Sequence, residues 1–293
     1  MQKISELNLE NLTEEEYNNF RSREAVRAIV VDENRKVALV HVGRDNYYKI
    51  PGGGIDEGEN KIEALKRECI EEAGVHIKKN PVELGYIFEA KRTWEMTQTS
   101  YCYIAEVEGG KKEPEYTSAE QRQNFSFQWV NVDEAIELMK SNIPEDITLQ
   151  YMARRDLMFM EAYKKSQKII LVDAVNTFVD KETGIFKEMY ELLEQYINKK
   201  IVLTNADDEQ MLKFGLNDLP YEVFTLKHNP NKPDPVYFET MLKHFDLKAD
   251  EVIYFEHNED AAKSAQSIGI TTYHYDPETK DLEVLQDFIE NNL

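Results

Sequence analysis

The chain has little of what membrane-spanning and secreted proteins need. No apolar run is long enough to cross a bilayer, and residues 1–10 lack the apolar centre of a signal peptide. There are only two cysteines, Cys69 and Cys102, and they show neither metal-site spacing nor a disulfide framework. These absences predict a protein of the reducing cytoplasm that does not associate with a membrane.

Positive charge is also scarce. The 35 lysines and arginines stand against 56 aspartates and glutamates, which gives a formal net charge of −21 at pH 7. Because lysine and arginine drive binding to DNA and RNA, a nucleic-acid polymer is not expected as the main partner. Small phosphorylated ligands stay compatible with this charge, since metal ions can mediate the contact. With 41% hydrophobic residues and no repeat, the 293 residues predict one or two globular domains.

The strongest chemical signal lies in residues 52–75. A glycine-rich loop is followed by a predicted helix that closes at Gly74. Glu68, Glu71 and Glu72 stand at i, i+3 and i+4, so their carboxylates share one helical face and repel one another. A hard divalent cation such as Mg²⁺ would neutralise them and keep waters for a phosphate-bearing substrate. The alternative for three glutamates alone is a solvated acidic helix.

The spacing in this stretch resembles the signature of the Nudix hydrolases. The matching positions are Gly53, Glu59, Arg67, Glu68, Cys69, Glu71, Glu72, Gly74 and Val75. The one departure is Cys69, where the family usually has an aliphatic residue and where a buried cysteine acts as a small hydrophobe. The resemblance implies an α/β fold, an α/β/α sandwich on a mixed sheet, over residues 20–145. We predict the strands and helices of such a sandwich in this range. The N-terminal segment, residues 1–19, is expected to form a separate amphipathic helix, whose pattern runs over residues 6–20.

The resemblance also implies a role for each residue of the signature. Glu68, Glu71 and Glu72 would hold Mg²⁺, or Mn²⁺ in its place, with the backbone carbonyl near Gly53 assisting. Arg67 would pair with Glu59 and orient the metal-binding carboxylates.

The implied reaction is attack of water on a diphosphate bond of a nucleoside diphosphate linked to another group. Glu72, Glu68 or an acid on loop 113–120, such as Glu120, would act as the general base, and the sequence does not choose among them. The family's markers for particular substrates are absent. A nucleoside triphosphate, normal or oxidised, is therefore the substrate left by default.

Other substrate contacts are predicted less specifically. Arg44 would contact phosphate as a bidentate donor, or lie solvated in its loop. Tyr48 would stack on a base, or pack in the core. Arg27, on a predicted strand, would face either a ligand pocket or solvent.

From residue 168 onwards the pattern changes, after a helix predicted over 146–167 that connects the two halves. Apolar strands alternate with helices, which predicts a parallel, doubly wound sheet over residues 168–293. The strands are expected at 169–172, 201–204, 223–225, 252–255 and 271–275, and the helices at 185–198, 207–214, 234–246, 259–268 and 281–291. Ligands of such sheets bind beyond the carboxyl ends of the strands.

The polar residues at those strand ends resemble the motifs of the haloacid dehalogenase (HAD) superfamily. The resemblance makes Asp173 the nucleophile, Thr204 the phosphate-binding hydroxyl and Lys232 the charge-stabilising lysine. The metal would be held by Asp173, by Glu256 and by the residue at position 175, which is Val175 here. The connections between the strands are short, which implies a capless, Rossmann-like version of the fold.

Two departures weaken this second set of motifs. Val175 stands where phosphatases of the superfamily have an acid–base aspartate, and such help is typically worth about 10²–10⁴ in rate. Glu256 is followed by His257, where a pair of acids is usual. The leading interpretation is therefore a Nudix pyrophosphohydrolase with a degenerate, non-catalytic HAD-like domain. A bifunctional Nudix/HAD phosphatase and a nucleotide-sensing regulatory protein are the alternatives, and the sequence leaves open whether the chain forms a homo-oligomer.

Overall fold

The computed structural model describes residues 1–293 as two compact units. Unit 1 is Met1–Lys164 and unit 2 is Lys165–Leu293. None of the helices is both long enough and apolar enough to span a membrane.

Unit 1 is built on one mixed sheet. Its strands are β1 (Lys3–Leu7), β2 (Arg21–Val31), β3 (Val37–Val42), β4 (Tyr47–Lys49), β5 (His76–Ile77), β6 (Val82–Lys91), β7 (Met96–Glu108) and β8 (Phe125–Val130). The order is β1-β6-β7-β2-β3-β4, with β5 beside β7 and β8 beside β3. The pairs β1–β6 and β2–β7 are parallel and the remaining pairs are antiparallel, so the sheet is mixed as the sequence predicts.

Helices cover both faces of this sheet. They are α1 (Glu14–Tyr17), α2 (Lys61–Ala73), α3 (Ser118–Arg122), α4 (Val132–Ser141) and α5 (Ile147–Gln167). Side chains alternate along β2, so that Ala28 packs with Leu65 of α2 on one face. Ile29 packs with Phe159 of α5 on the other. This is the predicted α/β/α sandwich, and the helix predicted as a connection supplies part of its core.

The N-terminal segment differs from the prediction. The helix expected over residues 6–20 is wrong outside Glu14–Tyr17, where Thr13 and Glu16 form the anticipated capping box. Residues 3–7 instead form β1, which pairs with β6 at the edge of the sheet. The pairing gives hydrogen-bond partners to the backbone of β6 at the edge of the sheet, and it buries Leu7. A short isolated helix would provide neither.

Unit 2 is built on a parallel sheet. Its strands are β9 (Ile169–Asp173), β10 (Val179–Asp180), β11 (Gly184–Ile185), β12 (Lys200–Thr204), β13 (Glu222–Thr225), β14 (Val252–Glu256) and β15 (Thr271–His274). The main sheet has the order β13-β12-β9-β14-β15, and all its pairs are parallel. The helices are α6 (Lys187–Leu193), α7 (Asp208–Lys213), α8 (Pro235–Phe245), α9 (Glu259–Ser267) and α10 (Leu282–Asn292).

Two apolar layers enclose this sheet. Residues of α6 and α10 pack on one face, and residues of α8 and α9 pack on the other. The connection from β9 to β12 contains only the hairpin of β10 and β11 and helix α6. This agrees with the capless, parallel fold that the sequence predicts.

Candidate active site

The acidic helix α2 has well-defined ends. At its N-terminus, Asn60 accepts hydrogen bonds from the backbone N–H groups of Ile62 and Glu63. At its C-terminus, Gly74 adopts the left-handed conformation, with φ +62°. Leu65 and Cys69 are buried against the sheet, which fixes the rotation of the helix. The glutamates therefore lie beside the apolar contact between α2 and the sheet.

Arg67 joins the acidic residues of this face. Its Nε and Nη2 atoms donate to the two carboxylate oxygens of Glu59, at 3.1 and 3.0 Å. Its Nη1 atom donates to Glu68 Oε1 at 2.6 Å and to Glu71 Oε2 at 3.3 Å, and Nη2 also reaches the carbonyl of Gly54 at 3.1 Å. The guanidinium lowers the pKa of Glu59 by its hydrogen bonds. One side chain thus fixes two glutamates of α2 relative to the loop before it.

Glu72 is held separately and is almost completely buried. Its Oε1 atom accepts from Lys49 Nζ at 2.6 Å, and Oε2 accepts from the backbone N–H of Gly52 at 2.9 Å. Burial raises the pKa of Glu72, and the contact with Lys49 offsets only part of that rise.

The glycine loop approaches this face too closely for any side chain. A Cβ atom at Gly53 would lie 2.2 Å from Glu68 Oε1. At Gly52, φ is +145° and a Cβ atom would lie 2.3 Å from the carbonyl oxygen of Val26. The Gly53 carbonyl in turn accepts from the backbone of Val26 at 2.9 Å. The loop is therefore fastened to β2 while its backbone touches a glutamate of α2.

A cavity of about 230 Å³ opens beside Glu72. Its polar lining includes Lys49, Glu72 and two buried arginines, Arg27 and Arg155. The remaining lining residues are Arg44, Asp45, Tyr47, Glu120, Gln123, Phe125, Leu149 and Met152. The cavity thus combines a basic interior with aromatic and apolar walls, next to the acidic face of α2.

The two buried arginines of the lining contact further buried polar groups. Arg155 donates to Asp156 Oδ1 at 2.7 Å, and Asp156 Oδ2 accepts from the backbone N–H of Ile50 at 3.2 Å. Arg27 donates to the carbonyls of Val26 and Gly53, while its buried Nε atom has no hydrogen-bond partner.

The same buried cluster extends to β6. Glu89 lies 2.8 Å from Lys91 Nζ and 3.5 Å from Arg155 Nη1. The whole cluster contains three cations and two carboxylates, and so carries one excess positive charge. The cations are Arg27, Lys91 and Arg155, and the carboxylates are Glu89 and Asp156. Sequence reasoning missed this cluster except for Arg27. A signal existed, because Asp156 occupies an apolar-face position of its helix, four residues from both Met152 and Met160.

Lys91 makes the stability of unit 1 depend on pH. Burial lowers its pKa to about 8, from an ordinary value near 10.5. Below pH 8 both the folded and the unfolded chain carry this proton; between pH 8 and 10.5 only the unfolded chain does. The free energy of unfolding should therefore gain about 3 kcal/mol from Lys91 across that window as pH rises. In Lys91→Met this gain should disappear, which urea denaturation followed by tryptophan fluorescence can measure, since Trp94 and Trp129 both lie in unit 1.

The exposed Lys78, which pairs with Glu106, provides the control, and Lys78→Met should keep the wild-type pH profile. Parallel profiles for wild type and Lys91→Met would contradict the assignment.

Of the other residues predicted near the substrate, some line the cavity and one does not. Arg44 lines the cavity but is more than half exposed, and it donates to both carboxylate oxygens of Asp45. Glu120 also lines it, with Oε2 accepting from the backbone N–H and the hydroxyl of Thr117. Tyr48 is not among the lining residues; it stacks on His41 with ring centroids 4.6 Å apart. Its neighbour Tyr47 faces the cavity instead.

Unit 2 has its own cavity, of about 320 Å³, at the carboxyl ends of its central strands. The predicted residues Asp173, Val175, Thr204, Lys232 and Glu256 all line it, as the fold requires. Asp173, Lys232 and Glu256 are buried and lie in direct contact.

His257 joins this group, and sequence reasoning gave it no role beyond a departure from the motif. Its Nδ1 atom lies 2.6 Å from Asp173 Oδ2 and 3.1 Å from Glu256 Oε1. Its hydrogen bonds to Asp173 and Glu256 raise the pKa of His257 to about 9.

Two protein-family models match the chain. The NUDIX domain family matches residues 21–151, and the haloacid dehalogenase-like hydrolase family matches residues 117–274. The second match spans more than half of the chain, so the protein belongs to the haloacid dehalogenase-like hydrolases, and its N-terminal half contains a NUDIX domain. The matches share residues 117–151, which fold in unit 1. The chain is thus a hydrolase, and its NUDIX domain is of the class acting on phosphorus-containing anhydrides.

Several solved structures are similar to about half of the chain. A NUDIX hydrolase from Nitrosomonas europaea has 19% identity, covering 49% of this chain and 88% of its own, with a TM-score of 0.38. The MutT protein from Methanosarcina mazei Go1 has 15% identity, covering 51% and 99%, with a TM-score of 0.36. A MutT protein from Bacillus halodurans has 26% identity, covering 46% and 82%, with a TM-score of 0.33. No curated protein matches the chain.

Proposed function

We propose that unit 1 is a Mg²⁺-dependent pyrophosphohydrolase that cleaves a diphosphate bond in a nucleoside diphosphate linked to another group. The observation that carries the proposal is the acidic face of α2, where Arg67 holds Glu68 and Glu71 beside the buried Glu72 and a basic cavity.

The donor set fits a divalent cation. Four carboxylates, Glu59, Glu68, Glu71 and Glu72, are in contact with two cations, Arg67 and Lys49, which leaves two negative charges uncompensated. Hard cations such as Mg²⁺ and Mn²⁺ prefer carboxylate oxygens, each of which has a second lone pair beyond the contacts described. The ion would be held by Glu68, Glu71 and Glu72. The backbone of Gly53 lies close to the carboxylate of Glu68. When bound, such an ion neutralises phosphate charge and acidifies water.

The residues of the chain have separate tasks in this proposal. Arg67 fixes the carboxylates through its paired contact with Glu59. Glu72 is favoured over Glu120 as the general base, because burial raises its pKa towards the working range of a proton acceptor.

The cavity supports a nucleotide as substrate. The excess positive charge behind it, with Arg27 and Arg155 in its lining, favours an anionic or acceptor-rich group. Tyr47 and Phe125 offer apolar surface to a planar ring. Both cysteines are free and buried, which supports the cytoplasmic setting that the sequence predicts.

A Mg²⁺-dependent hydrolysis screen tests the proposal. The candidate substrates are nucleoside triphosphates, oxidised nucleotides, nucleotide sugars, ADP-ribose and dinucleotides, with products identified by mass. A nucleoside monophosphate plus a phosphorylated fragment is the expected result. Binding without turnover would favour the nucleotide-sensing alternative, and turnover unaffected by chelation of divalent ions would contradict the metal assignment.

We further propose that unit 2 does not transfer phosphate, because Val175 stands where phosphatases of the superfamily have an acid–base aspartate. Asp173→Asn should then leave the turnover of unit 1 unchanged, and the wild-type chain should release no orthophosphate from the monophosphate product. The check is a comparison of turnover and orthophosphate release on one substrate. Orthophosphate release that disappears in Asp173→Asn would establish the bifunctional alternative instead.

A further inference from the structure

The fold of unit 2 implies a divalent cation between Asp173 and Glu256, yet both carboxylates are already occupied by the chain. Asp173 Oδ1 accepts from Lys232 Nζ, and its Oδ2 accepts from the hydroxyl of Thr177 at 2.5 Å and lies 2.6 Å from His257 Nδ1. A metal at Oδ2 would have to displace one of its two partners, and only Oδ1 keeps a second lone pair.

Glu256 is occupied in the same way. Its Oε2 atom accepts from Lys232 Nζ at 2.6 Å and from the hydroxyl of Tyr254. Its Oε1 atom accepts from the backbone N–H of Asn258 at 2.8 Å and lies 3.1 Å from His257 Nδ1. His257 Nδ1 therefore lies between the two carboxylates, where a bridging cation would sit.

The contacts of the imidazole define it as a hydrogen-bond donor on this side. The side-chain amide nitrogen of Asn176 lies 3.3 Å from His257 Nε2. Because an ionised carboxylate only accepts hydrogen bonds, the contacts of Nδ1 with Asp173 Oδ2 at 2.6 Å and Glu256 Oε1 at 3.1 Å require a proton on Nδ1. A metal ligand would need the lone pair of Nδ1 to point there instead.

No carboxylate other than those of Asp173 and Glu256 lines the cavity of unit 2. Val175 contributes no carboxylate, and the two buried carboxylates already share the ammonium of Lys232. We propose that the Nδ1–H group of His257 takes the place of the divalent cation, so that unit 2 is a HAD-like site without a metal. The competing arrangement is a metal ligated by Asp173, Glu256 and His257, whose ligand atoms lie within 4.8 Å of one another.

Counting the Mn²⁺ ions bound per chain, by electron paramagnetic resonance of the full-length protein, separates the two. In His257→Asp, a third carboxylate replaces the imidazole, and the excess negative charge should bind one more ion per chain than wild type does. Asp173→Asn in the wild-type chain should leave the count unchanged. Because both results are differences between variants, any ion held by unit 1 cancels, and the outcome does not depend on the function proposed for unit 1.

His228→Asp is the matched control, since His228 lines the same cavity and contacts Asn231 and Gln210 but neither carboxylate. It makes the same charge change and should add no ion. Loss of one ion in Asp173→Asn would overturn the proposal, as would a His257→Asp variant with a wild-type circular dichroism spectrum and no additional ion. The Asp173→Asn count decides the matter alone if His257→Asp fails to fold. Repeating that comparison with Zn²⁺, by equilibrium dialysis and metal analysis, tests the competing ligation for a metal that favours imidazole.

Discussion

Replacing Glu72 with glutamine is expected to reduce hydrolysis by unit 1 by a factor on the order of 10²–10⁴, the loss of several kcal/mol of stabilisation of the transition state. The substitution keeps the size of the side chain and an oxygen that can accept from Gly52, so the loop can stay in place. It removes an anionic oxygen from a proposed metal site and from the favoured general base. Turnover as a function of Mg²⁺ concentration, on the substrate that the screen identifies, measures the effect.

Glu57→Gln is the control for this change. Glu57 lies exposed in the loop between the glycines and α2, so its replacement also removes one negative charge but should leave turnover unchanged. Near-normal turnover in Glu72→Gln at every Mg²⁺ concentration would remove Glu72 from the proposed mechanism. An equal loss in both variants would attribute the effect to net charge and not to a ligand.

The acidic face could be predicted from the sequence because its geometry is local. Residues three and four apart on a helix are neighbours wherever the helix lies, so the spacing of Glu68, Glu71 and Glu72 already places their carboxylates together. The contact of Arg67 with Glu59 spans only the first turns of the same helix and its loop. Such features depend little on how the rest of the chain folds.

Contacts between distant residues could not be predicted in this way. Arg27 meets Asp156 only because β2 and α5 pack on each other, at a separation of well over a hundred residues. That Tyr47 and not Tyr48 lines the cavity could not be predicted for another reason. Adjacent residues of a strand face opposite sides of the sheet, and three residues of β4 give no pattern that decides which side faces the cavity.

His257 shows what a motif comparison leaves out. A comparison with the HAD motifs registers only that an acid is missing beside Glu256. The structure adds that the imidazole contacts both buried carboxylates, which turns an absence into a specific replacement. The N-terminal strand β1 is a similar case, because five residues gain their structure from the edge of β6 and not from their own pattern.

Arg67→Lys is expected to raise the Mg²⁺ concentration needed for half-maximal turnover by about 10–100-fold, the range found when a residue that orients metal ligands is lost. Lysine keeps the positive charge but has one compact ammonium, which cannot donate to both oxygens of Glu59 while it also reaches Glu68, Glu71 and the carbonyl of Gly54. The change therefore separates geometry from charge, and a Mg²⁺ titration of turnover measures it.

Arg92→Lys makes the same substitution at an exposed ion pair with Glu16 and should titrate like wild type. If Arg67→Lys also titrates like wild type, Arg67 acts through its charge alone, and the paired contact with Glu59 has no part in positioning the site. A fall in maximal turnover with an unchanged Mg²⁺ requirement would instead place Arg67 closer to the substrate than to the metal ligands. The expected shift in the Mg²⁺ requirement distinguishes a guanidinium that arranges the carboxylates from one that only balances them.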